Sequence, residues 1–442
     1  MGVRSGRSRR SAARARGLRS RRHHESRKGL SGRRRLRGHS DRAHEESARR
    51  GHVGVALGLN AHDIDGLAPA RVIRATSETE VVEAIRGANE RGEAIVVSGG
   101  ATRLSVGDPP TRYDAALDVS ALRGVVEYEP GDLVATVRAG TTLAELAEAL
   151  AARGQRWPVE PGLPERATVG GTLASAAGGP SRMRYFHPRD WVIGARVVLG
   201  DATSVRSGGR VVKNVTGYDL TRFWSGTFGT LAAIVELTLK LTAVPERTVS
   251  LVAEVDVPAA FRAANELHAS SLPLDALAVV TGEAVGAVGA RADAALVVRL
   301  AGPAAAVRRL GREVRDRVLC RDVANEVWGR IAALPLESNW TARLAWPAAA
   351  RPEIEFAGYG AVIYPASSTA YLLRSIDRTT FRAVRASLEA AGGVAVLERA
   401  SAAYKRDAGG AWGSPRVPLG VAKALKERFD PRGVLAPGRM PA

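Results

Sequence analysis

The chain has 442 residues, of which 45% are hydrophobic and 25% are charged, a composition typical of globular proteins. At about 100–200 residues per domain, this length predicts two or three folding units. The single cysteine, Cys320, excludes a small disulfide scaffold, and one thiol cannot by itself hold an iron–sulfur cluster or a structural zinc ion.

The net charge of +19 is concentrated at the N-terminus. Residues 1–50 contain 18 Lys and Arg against 4 Asp and Glu, whereas the rest of the chain contains 46 against 41. Because this stretch has too few apolar side chains to offset the entropy lost on ordering, we expect residues 1–60 to form a disordered basic tail. Three interpretations stay open: a start placed too far upstream, a solvated tail without a specific role, or an arm for nucleic acid or a membrane surface.

The tail lacks the apolar core of a signal peptide. The sequence also contains no run of about 18 apolar residues, the length that a transmembrane helix requires. We therefore expect a cytoplasmic protein in a reducing compartment.

Strand and helix patterns alternate from residue 68 onward. A strand at 71–74 precedes Ser77, whose spacing to Glu80 is that of a helix capping box, and the helix ends at Gly92. An apolar strand at 94–97 then leads directly into the loop Ser98-Gly99-Gly100-Ala101-Thr102-Arg103-Leu104. The next predicted elements are a strand at 115–119, a hairpin with arms at 125–129 and 133–138, and a helix at 142–153.

Residues 157–231 are dense in glycine, with strands predicted at 192–199 and 205–212. The densest stretch is Thr168-Val169-Gly170-Gly171-Thr172-Leu173-Ala174-Ser175-Ala176-Ala177-Gly178-Gly179. A strand at 234–241 follows, and its alternation places Val235, Leu237, Leu239 and Leu241 on one face. Pro245 marks a boundary, so the first domain is predicted to span 68–245.

A second domain is predicted at 248–418. Strands at 249–255, 276–280 and 294–300 alternate with helices at 259–269 and 303–315, an order typical of a ferredoxin-like α+β unit. A comparable set runs from 341 to 398. The chain closes with residues 419–442, a helix at 419–429 and a compact turn at 430–438, which we expect to return to the first domain.

A glycine loop after a strand can expose several backbone N–H groups in a concave nest, which attracts phosphate oxygens. Loop 98–104 has that form, but it matches neither the G-x-G-x-x-G pattern nor the P-loop pattern. Each glycine segment alone is more often ordinary turn chemistry. The pair on one domain favours a long ligand that contains a diphosphate.

Four segments in this order resemble the FAD-binding domain of the p-cresol methylhydroxylase (PCMH) and vanillyl-alcohol oxidase type and, within that family, the FAD-binding subunits of bacterial glycolate oxidase. They are the loop 98–102, the turn 168–171 with Gly178 and Gly179, the segment 213–220 with 226–231, and the terminal 429–438. The resemblance implies an α+β fold, with a two-subdomain PCMH-type FAD-binding domain followed by a ferredoxin-like α+β cap domain.

The resemblance also implies which residues hold the cofactor. Residues 98–104 would wrap the FAD pyrophosphate with backbone N–H groups, Asp219 would lie near the flavin, and Ile234 and Val235 near the adenine end. The implied FAD-binding residues are Ser98, Gly99, Gly100, Ala101, Thr102, Arg103, Leu104, Pro161, Thr168, Val169, Gly170, Gly171, Ala174, Gly178, Gly179, Asp219, Gly229, Ile234 and Val235.

Several other residues have two readings. Arg189-Asp190 matches the family's Arg-Asp pair, although a surface ion pair is an equal alternative. Lys213 and Tyr218 would lie near the flavin, or would be a solvated lysine and a packed aromatic side chain.

The chain departs from the family pattern at three positions. Thr172 and Ala176 stand where Asn is common, and Ala232 stands where Gly is common. No His lies in the 98–104 loop and Cys320 is far downstream, so we expect FAD to be bound noncovalently.

Related 2-hydroxy-acid dehydrogenases use clustered His in the cap domain to bind a metal or remove a proton. After residue 67 this chain has only His187 and His268, with no paired pattern, so we assign no metal and no catalytic residue. His268 is expected to be solvated or packed. His187, which precedes Pro188, could approach the flavin, but a role in the loop alone is the favoured interpretation. Candidates for binding a substrate carboxylate are Arg343, Tyr364 and Lys405.

Residues and resemblance together predict an FAD-dependent oxidoreductase that acts on CH–OH groups as a subunit of a complex. The resemblance implies oxidation of 2-hydroxy acids such as glycolate, two partners (a larger catalytic flavoprotein and an iron–sulfur protein), and peripheral association with the inner face of the cell membrane through that complex. Two alternatives stay open: a stand-alone FAD-dependent alcohol or hydroxy-acid oxidoreductase, and a noncatalytic assembly module.

Overall fold

The structure, a computed structural model, describes residues 61–209, 219–349, 356 and 358–440. The predicted basic tail, Lys213 and Tyr218 lie outside the described residues. Across the described ranges, no helix is both long and apolar enough to cross a membrane.

Three parallel strands form the first sheet, in the order β1-β3-β2. They are β1 (Arg71–Arg74), β2 (Ile95–Ser98) and β3 (Ala115–Asp118), and helix α1 (Glu78–Arg91) connects β1 to β2. The predicted capping box is half formed: the Ser77 side chain accepts from the Glu80 N–H, but the Glu80 carboxylate accepts from the N–H of Thr76. Helix α1 therefore begins and ends close to where its sequence signals lie.

The second sheet has five antiparallel strands in the order β4-β5-β9-β7-β8. They are β4 (Val125–Glu129), β5 (Val134–Arg138), β7 (Val192–Leu199), β8 (Ser204–Gly208) and β9 (Ala232–Lys240). Helix α2 (Leu143–Ala151), with a complete capping box from Thr142 and Glu145, buries Leu146 and Leu150 in the core beside this sheet. Strands β6 (Gln155–Arg156) and β10 (Thr242–Ala243) pair as a separate two-stranded antiparallel ribbon.

The alternation predicted for β9 is wrong at one position. Leu237 and Leu239 pack in the core beside α2, whereas Val235 packs on the other side, with helix α1. The cause is a register shift against β7, where Arg196 pairs with Glu236 but the next residue pairs with Ile234, so that Val235 is an extra residue. This bulge lets one strand contribute to two cores.

Eight antiparallel strands form the third sheet, in the order β14-β11-β13-β12-β16-β17-β15-β18. The first set comprises β11 (Arg247–Val255), α6 (Val257–Ala269), β12 (Ala276–Thr281), β13 (Ala294–Gly302), α7 (Ala304–Arg315) and β14 (Arg321–Val323). The second set comprises β15 (Thr341–Ala345), β16 (Ala361–Tyr364), β17 (Thr369–Leu372), α9 (Arg378–Ala390) and β18 (Val394–Arg399). Helix α8 (Val327–Glu337) joins them.

Both sets place their strands in the same spatial order. Numbered within each set, the order is 4-1-3-2, and the two sets join edge to edge where β12 pairs with β16. This is the strand order of a ferredoxin-like unit, so the predicted α+β architecture of the second half is confirmed.

The C-terminal segment returns to the first sheet. Helix α11 (Leu419–Phe429) ends at Asp430, whose carboxylate accepts from the N–H groups of Val434 and Leu435. Beyond this turn, the Ile95 N–H donates to the Val434 carbonyl and the Ala436 N–H donates to the Ile95 carbonyl, both at 2.7 Å. The segment thus lies beside β2 and brings residue 439 next to the loop that follows β2.

The expectation that Lys405 binds a substrate carboxylate is wrong. Lys405, on helix α10 (Ala402–Asp407), is completely buried. Its ammonium group donates to the Asp65 carboxylate at 2.6 Å and to the carbonyls of Ser105 and Gly107 at 2.5 and 2.8 Å. Since an ammonium group has three protons, this lysine has none left for a ligand.

We expect Lys405→Met to destabilise the protein by about 3–5 kcal/mol, because it leaves the Asp65 carboxylate buried without its partner. The free energy of unfolding in urea measures the loss. Adding Asp65→Asn should recover part of it by removing the unpaired charge.

The exposed pair Arg378–Asp407 provides the matched control. Arg378→Met should cost less than about 1 kcal/mol, as is usual for a solvated ion pair. Equal losses of unfolding free energy for Lys405→Met and Arg378→Met would contradict the conclusion that the buried ion pair of Lys405 stabilises the fold.

Candidate functional site

The two glycine-rich segments meet at one cavity, here called the loop cavity. Loop 98–104, which follows β2, forms one wall, and the short helix α3 (Val169–Ala174), capped by the Thr168 side chain, forms another. Among the residues implied by the resemblance, those that line the loop cavity are Ser98, Gly99, Gly100, Ala101, Thr102, Arg103, Leu104, Thr168, Gly170, Gly171, Ala174, Gly229 and Ile234.

Glycine is required where these segments pass close to neighbouring backbone. A Cβ atom added to Gly100 would lie 1.6 Å from the Arg166 carbonyl oxygen, and one added to Gly179 would lie 1.7 Å from the Glu160 carbonyl oxygen. Any side chain at either position would therefore push the segments apart.

Loop 98–104 leaves its backbone donors free. Within the described part of the chain, none of the backbone N–H groups of residues 99–103 donates a hydrogen bond to a protein acceptor. Buried or half-buried backbone N–H groups rarely lack partners, so these five donors are available for a ligand with several acceptor oxygens.

The carbonyls of residues 104–107, at the end of this loop and just after it, are all occupied. Lys405 holds those of Ser105 and Gly107, and Arg439 Nη2 donates to those of Leu104 and Val106, each at 2.7 Å. Four successive carbonyl groups thus bind two buried cations. Their positions fix the end of the loop and with it the direction of its free donors.

Helix α3 has a different role from the loop. The N–H groups of Val169 and Gly170 donate to the carbonyls of Thr141 and Ala139, and that of Gly171 donates to the Thr168 hydroxyl. Its first turn is therefore satisfied by the protein itself. It presents small side chains to the cavity rather than free donors.

A second cavity of about 280 Å³, here called the polar cavity, adjoins the loop cavity. The two share Arg103, Ser175 and Phe228 in their walls. The polar cavity is further lined by Pro161, Gly178, Gly179, Arg182, His187, Arg343, Tyr364, Tyr371 and Glu398. It therefore brings the first domain's glycine segment together with side chains of the eight-stranded sheet.

Three non-glycine residues in the walls of these two cavities have a strained backbone. Ala101, Ala176 and Phe228 all line one or both of them, and all three have positive φ angles, of 55°, 49° and 51°. Non-glycine residues in this region cost free energy and are found most often at functional sites.

One cation of the polar cavity lacks a counter-ion. Glu398 pairs with Arg103 at 3.1 Å and with Arg343 at 2.7 Å. Arg182, on the short helix α4 (Arg182–Tyr185), has no acidic partner within the described residues, and its Nη2 lies 3.0 Å from Nε2 of His187. Burial lowers the pKa of Arg182, but a guanidinium stays charged at neutral pH.

His187 is neutral at physiological pH. Its burial, together with the charge of Arg182, lowers its pKa to about 4. The Asp190 carboxylate accepts from the His187 backbone N–H at 3.0 Å, so the Arg189-Asp190 segment holds the turn that carries His187. The polar cavity is thus a net cationic site with a neutral imidazole.

Four of the remaining predicted residues lie away from both cavities. Val169 and Val235 are buried in separate cores. Asp219 caps the short helix α5 (Leu220–Phe223) and pairs with Arg222 at 3.4 Å. His268 is exposed on α6. The flavin-side roles of Val169, Asp219 and Val235 stay predictions.

Several site residues were missed by the sequence analysis. His62, before the predicted domain start, lies with its Nδ1 3.0 Å from the Ser98 hydroxyl. Arg182, Glu398 and Arg439 carry no motif, and only their long-range contacts show their place. In the ranges that the structure describes, no group of three His, Cys, Asp or Glu is arranged to hold a metal ion.

Comparison with known proteins confirms the predicted family. Residues 69–208 match the model of the FAD binding domain. The chain is 32% identical over 359 residues to glycolate oxidase subunit GlcE of Escherichia coli (strain K12), an alignment that covers 78% of this chain and 92% of GlcE.

Two further relatives match over a shorter length. Identity is 31% to glycolate oxidase subunit GlcD of Bacillus subtilis (strain 168) and 34% to D-2-hydroxyglutarate dehydrogenase of Xanthomonas citri pv. viticola. In each case the alignment covers 46% of this chain and 44% of the relative, so the chain spans less than half of these two proteins.

Solved structures confirm the fold. p-Cresol methylhydroxylase with substrate bound superposes with a TM-score of 0.64 at 15% identity, over 86% of this chain and 91% of the other. 4-Ethylphenol oxidase from Gulosibacter chungangensis gives 0.62 at 16% identity, over 83% and 88%. The predicted α+β fold of the PCMH type is therefore correct.

The depressed pKa of His187 predicts a loss of stability in mild acid. Unfolding frees the imidazole to bind a proton at its ordinary pKa, near 6.5, whereas the folded protein resists protonation down to about 4. His187 therefore stabilises the fold fully above pH 6.5, and this contribution is lost as the pH falls from 6.5 to 4. Thermal melting across this range measures it.

The variants His187→Gln and His268→Gln test the assignment. The melting temperature of His187→Gln should fall less steeply between pH 6.5 and 4 than that of the wild type, because the group that titrates is gone. His268→Gln, at an exposed helix position, should follow the wild-type curve. Identical slopes for all three proteins would show that His187 is not held neutral.

Proposed function

The chain belongs to the family of FAD-linked oxidoreductases that includes glycolate oxidase subunit GlcE, and from this premise we propose that it is the FAD-binding subunit of a glycolate oxidase-type complex. It would bind FAD noncovalently and serve the oxidation of 2-hydroxy acids, with electrons passed to an iron–sulfur partner. The observation that carries this proposal is the meeting of the two glycine segments at a cavity with five free backbone donors.

The residues present fit FAD. The free N–H groups of residues 99–103 suit the oxygens of a diphosphate, and the buried Nη1 of Arg439, on the wall of the same cavity, has no partner in the described structure. When bound, FAD would supply the acceptor for a hydride, which carries the two electrons of the oxidation. Among the described residues, the side chains that line the loop cavity include neither His nor Cys, which supports noncovalent binding.

The polar cavity supports a carboxylate substrate. Its unpaired cation, Arg182, can bind a carboxylate through two parallel N–H donors. Because the polar cavity shares three wall residues with the loop cavity, a small acid held at Arg182 would lie next to the proposed cofactor site. A 2-hydroxy acid fits this arrangement, because its oxidisable carbon is next to the carboxylate.

The side chains of the described residues support a function in which a partner chain supplies the electron acceptor. They show one cysteine, Cys320, whose pKa is raised by burial, and no grouping of side chains that could hold a metal ion. An electron acceptor such as an iron–sulfur centre would thus come from another chain. The names of the relatives GlcE and GlcD, both oxidase subunits, agree with such a complex.

A stand-alone FAD-dependent hydroxy-acid oxidoreductase is the second candidate. The observation that favours it is the polar cavity itself, since a site with a free Arg and a neutral His could bind substrate without a partner. The two candidates differ in whether the isolated chain reduces its own cofactor.

The visible absorption spectrum of the purified chain separates these candidates. We expect a flavin spectrum whose chromophore is released by acid precipitation, as noncovalent binding requires, and which anaerobic glycolate or D-lactate leaves unchanged. Bleaching by either acid in the absence of partners would identify a stand-alone dehydrogenase. A purified chain that neither carries flavin nor takes it up, yet still binds partner subunits, would indicate a noncatalytic assembly module.

Arg182→Gln tests the carboxylate site. We expect the dissociation constant for glycolate, measured by isothermal calorimetry, to rise about tenfold to a hundredfold, because one charge-assisted contact is lost. Arg182→Lys should retain part of the affinity, since it keeps the charge without the planar fork.

Arg184→Gln is the matched control, because Arg184 is exposed on the same segment and does not line the polar cavity. It should leave glycolate binding unchanged. Equal binding by Arg182→Gln and the wild type would show that the substrate does not lie at Arg182.

A further inference from the structure

Arg439 is a buried cation with one group left unpaired. It is 2% exposed, its Nη2 donates to the Leu104 and Val106 carbonyls, and its own carbonyl accepts from the Trp412 indole at 2.7 Å. Its Nη1 is buried and has no hydrogen-bond partner within the described residues. The same side chain lines the loop cavity.

No acidic group of the described structure neutralises Arg439. The carboxylates that influence its charge are Asp65, which is bound to Lys405, and Asp108, which accepts from the Ala411 N–H. Neither forms an ion pair with Arg439 within 4 Å in the described residues. Burial lowers the pKa of Arg439 to about 10, so the guanidinium is still charged at neutral pH.

A buried, charged N–H group without a partner is costly unless a ligand meets it. The groups that share the cavity wall with Arg439 are the five free N–H donors of residues 99–103. A ligand that satisfies all of them must be an anion with several oxygens. A diphosphate has this chemistry, and guanidinium groups bind phosphate oxygens well.

We propose that Arg439 is a cofactor-binding residue that supplies the positive charge opposite the FAD diphosphate. This inference rests on the proposed binding of FAD. Nη2 would keep its bonds to the loop carbonyls while Nη1 meets a phosphate oxygen. One side chain would then both hold the end of the loop and neutralise the group that the loop surrounds.

Hydrogen bonds within the C-terminal segment hold in place the turn that precedes Arg439. The Asp430 carboxylate accepts from the N–H groups at 434 and 435, and Lys426 donates to Asp430 and to the Leu435 carbonyl, each at 2.6 Å. The segment therefore reaches the loop cavity as a rigid turn. Nη1 is presented to the cavity at little cost in side-chain entropy.

Three probes separate the diphosphate from the rest of the cofactor: FAD, ADP and riboflavin. ADP contains the diphosphate without the flavin, and riboflavin contains the flavin without phosphate. The apo chain is titrated with each, with isothermal calorimetry for ADP and quenching of flavin fluorescence for the other two. Arg439→Gln should weaken both FAD and ADP by about tenfold to a hundredfold and leave riboflavin unchanged.

Two further variants make the comparison specific. Arg432→Gln, an exposed arginine in the same turn, should bind all three probes as the wild type does. Arg439→Lys keeps the charge but not the fork, so its affinity for FAD and ADP should lie between those of the wild type and Arg439→Gln. If Arg439→Gln fails to give the wild-type circular dichroism spectrum, the Lys variant decides, and undiminished ADP affinity in it would overturn the proposal.

The other outcomes are equally decisive. Weaker FAD binding with unchanged ADP binding would place Arg439 at the flavin ring and overturn the diphosphate contact. A wild-type chain that binds ADP through Arg439 but does not bind FAD would retain the diphosphate site and overturn the proposed FAD function. A wild-type chain that binds neither would overturn both.

Discussion

Two buried cations and four backbone carbonyls form the interaction on which the rest of the site depends. Lys405 and Arg439 bind the carbonyl groups of residues 104–107 in alternation, directly after the glycine loop. These four acceptors are occupied, and the N–H groups of residues 99–103 have no protein acceptor in the described structure. A ligand that supplies acceptors, such as the oxygens of a diphosphate, can therefore bind these N–H groups.

The same constraint ties together parts of the chain that are far apart in sequence. The loop follows the first sheet, Lys405 lies on helix α10 after the last strand of the eight-stranded sheet, and Arg439 follows the C-terminal turn. A second tie runs through Glu398, which bridges Arg103 of the loop and Arg343 of the same large sheet. The polar cavity lies between these ties, and Arg182 is the cation in it that no carboxylate of the described residues neutralises.

Much of the fold could be predicted from the sequence because it is encoded locally. Periodic apolar residues and caps such as Ser77 and Thr142 marked helices close to their observed ends. The order of elements after residue 248 indicated the ferredoxin-like units, and the four family segments indicated the FAD-binding fold.

Where a prediction was wrong, a contact between distant parts of the chain was the cause. Val235 packs on the face opposite to the predicted one because of a bulge against β7. Lys405 was predicted to bind a substrate carboxylate because no local pattern in the sequence reveals its buried ion pair with Asp65. Arg439 follows a turn that the sequence analysis had noted, yet only the tertiary structure places it at the cavity.

Hydrogen exchange of the backbone amides in loop 98–104 tests the central claim most directly. If the loop keeps its donors free, the N–H groups of residues 99–103 should exchange rapidly in the apo chain and become strongly protected when FAD is added, while those of the neighbouring strand β2 stay protected in both states. Slow exchange at 99–103 without FAD would show that the protein already satisfies these donors. Unchanged fast exchange in the FAD-bound chain would show that the cofactor does not use them, and either result would contradict the account.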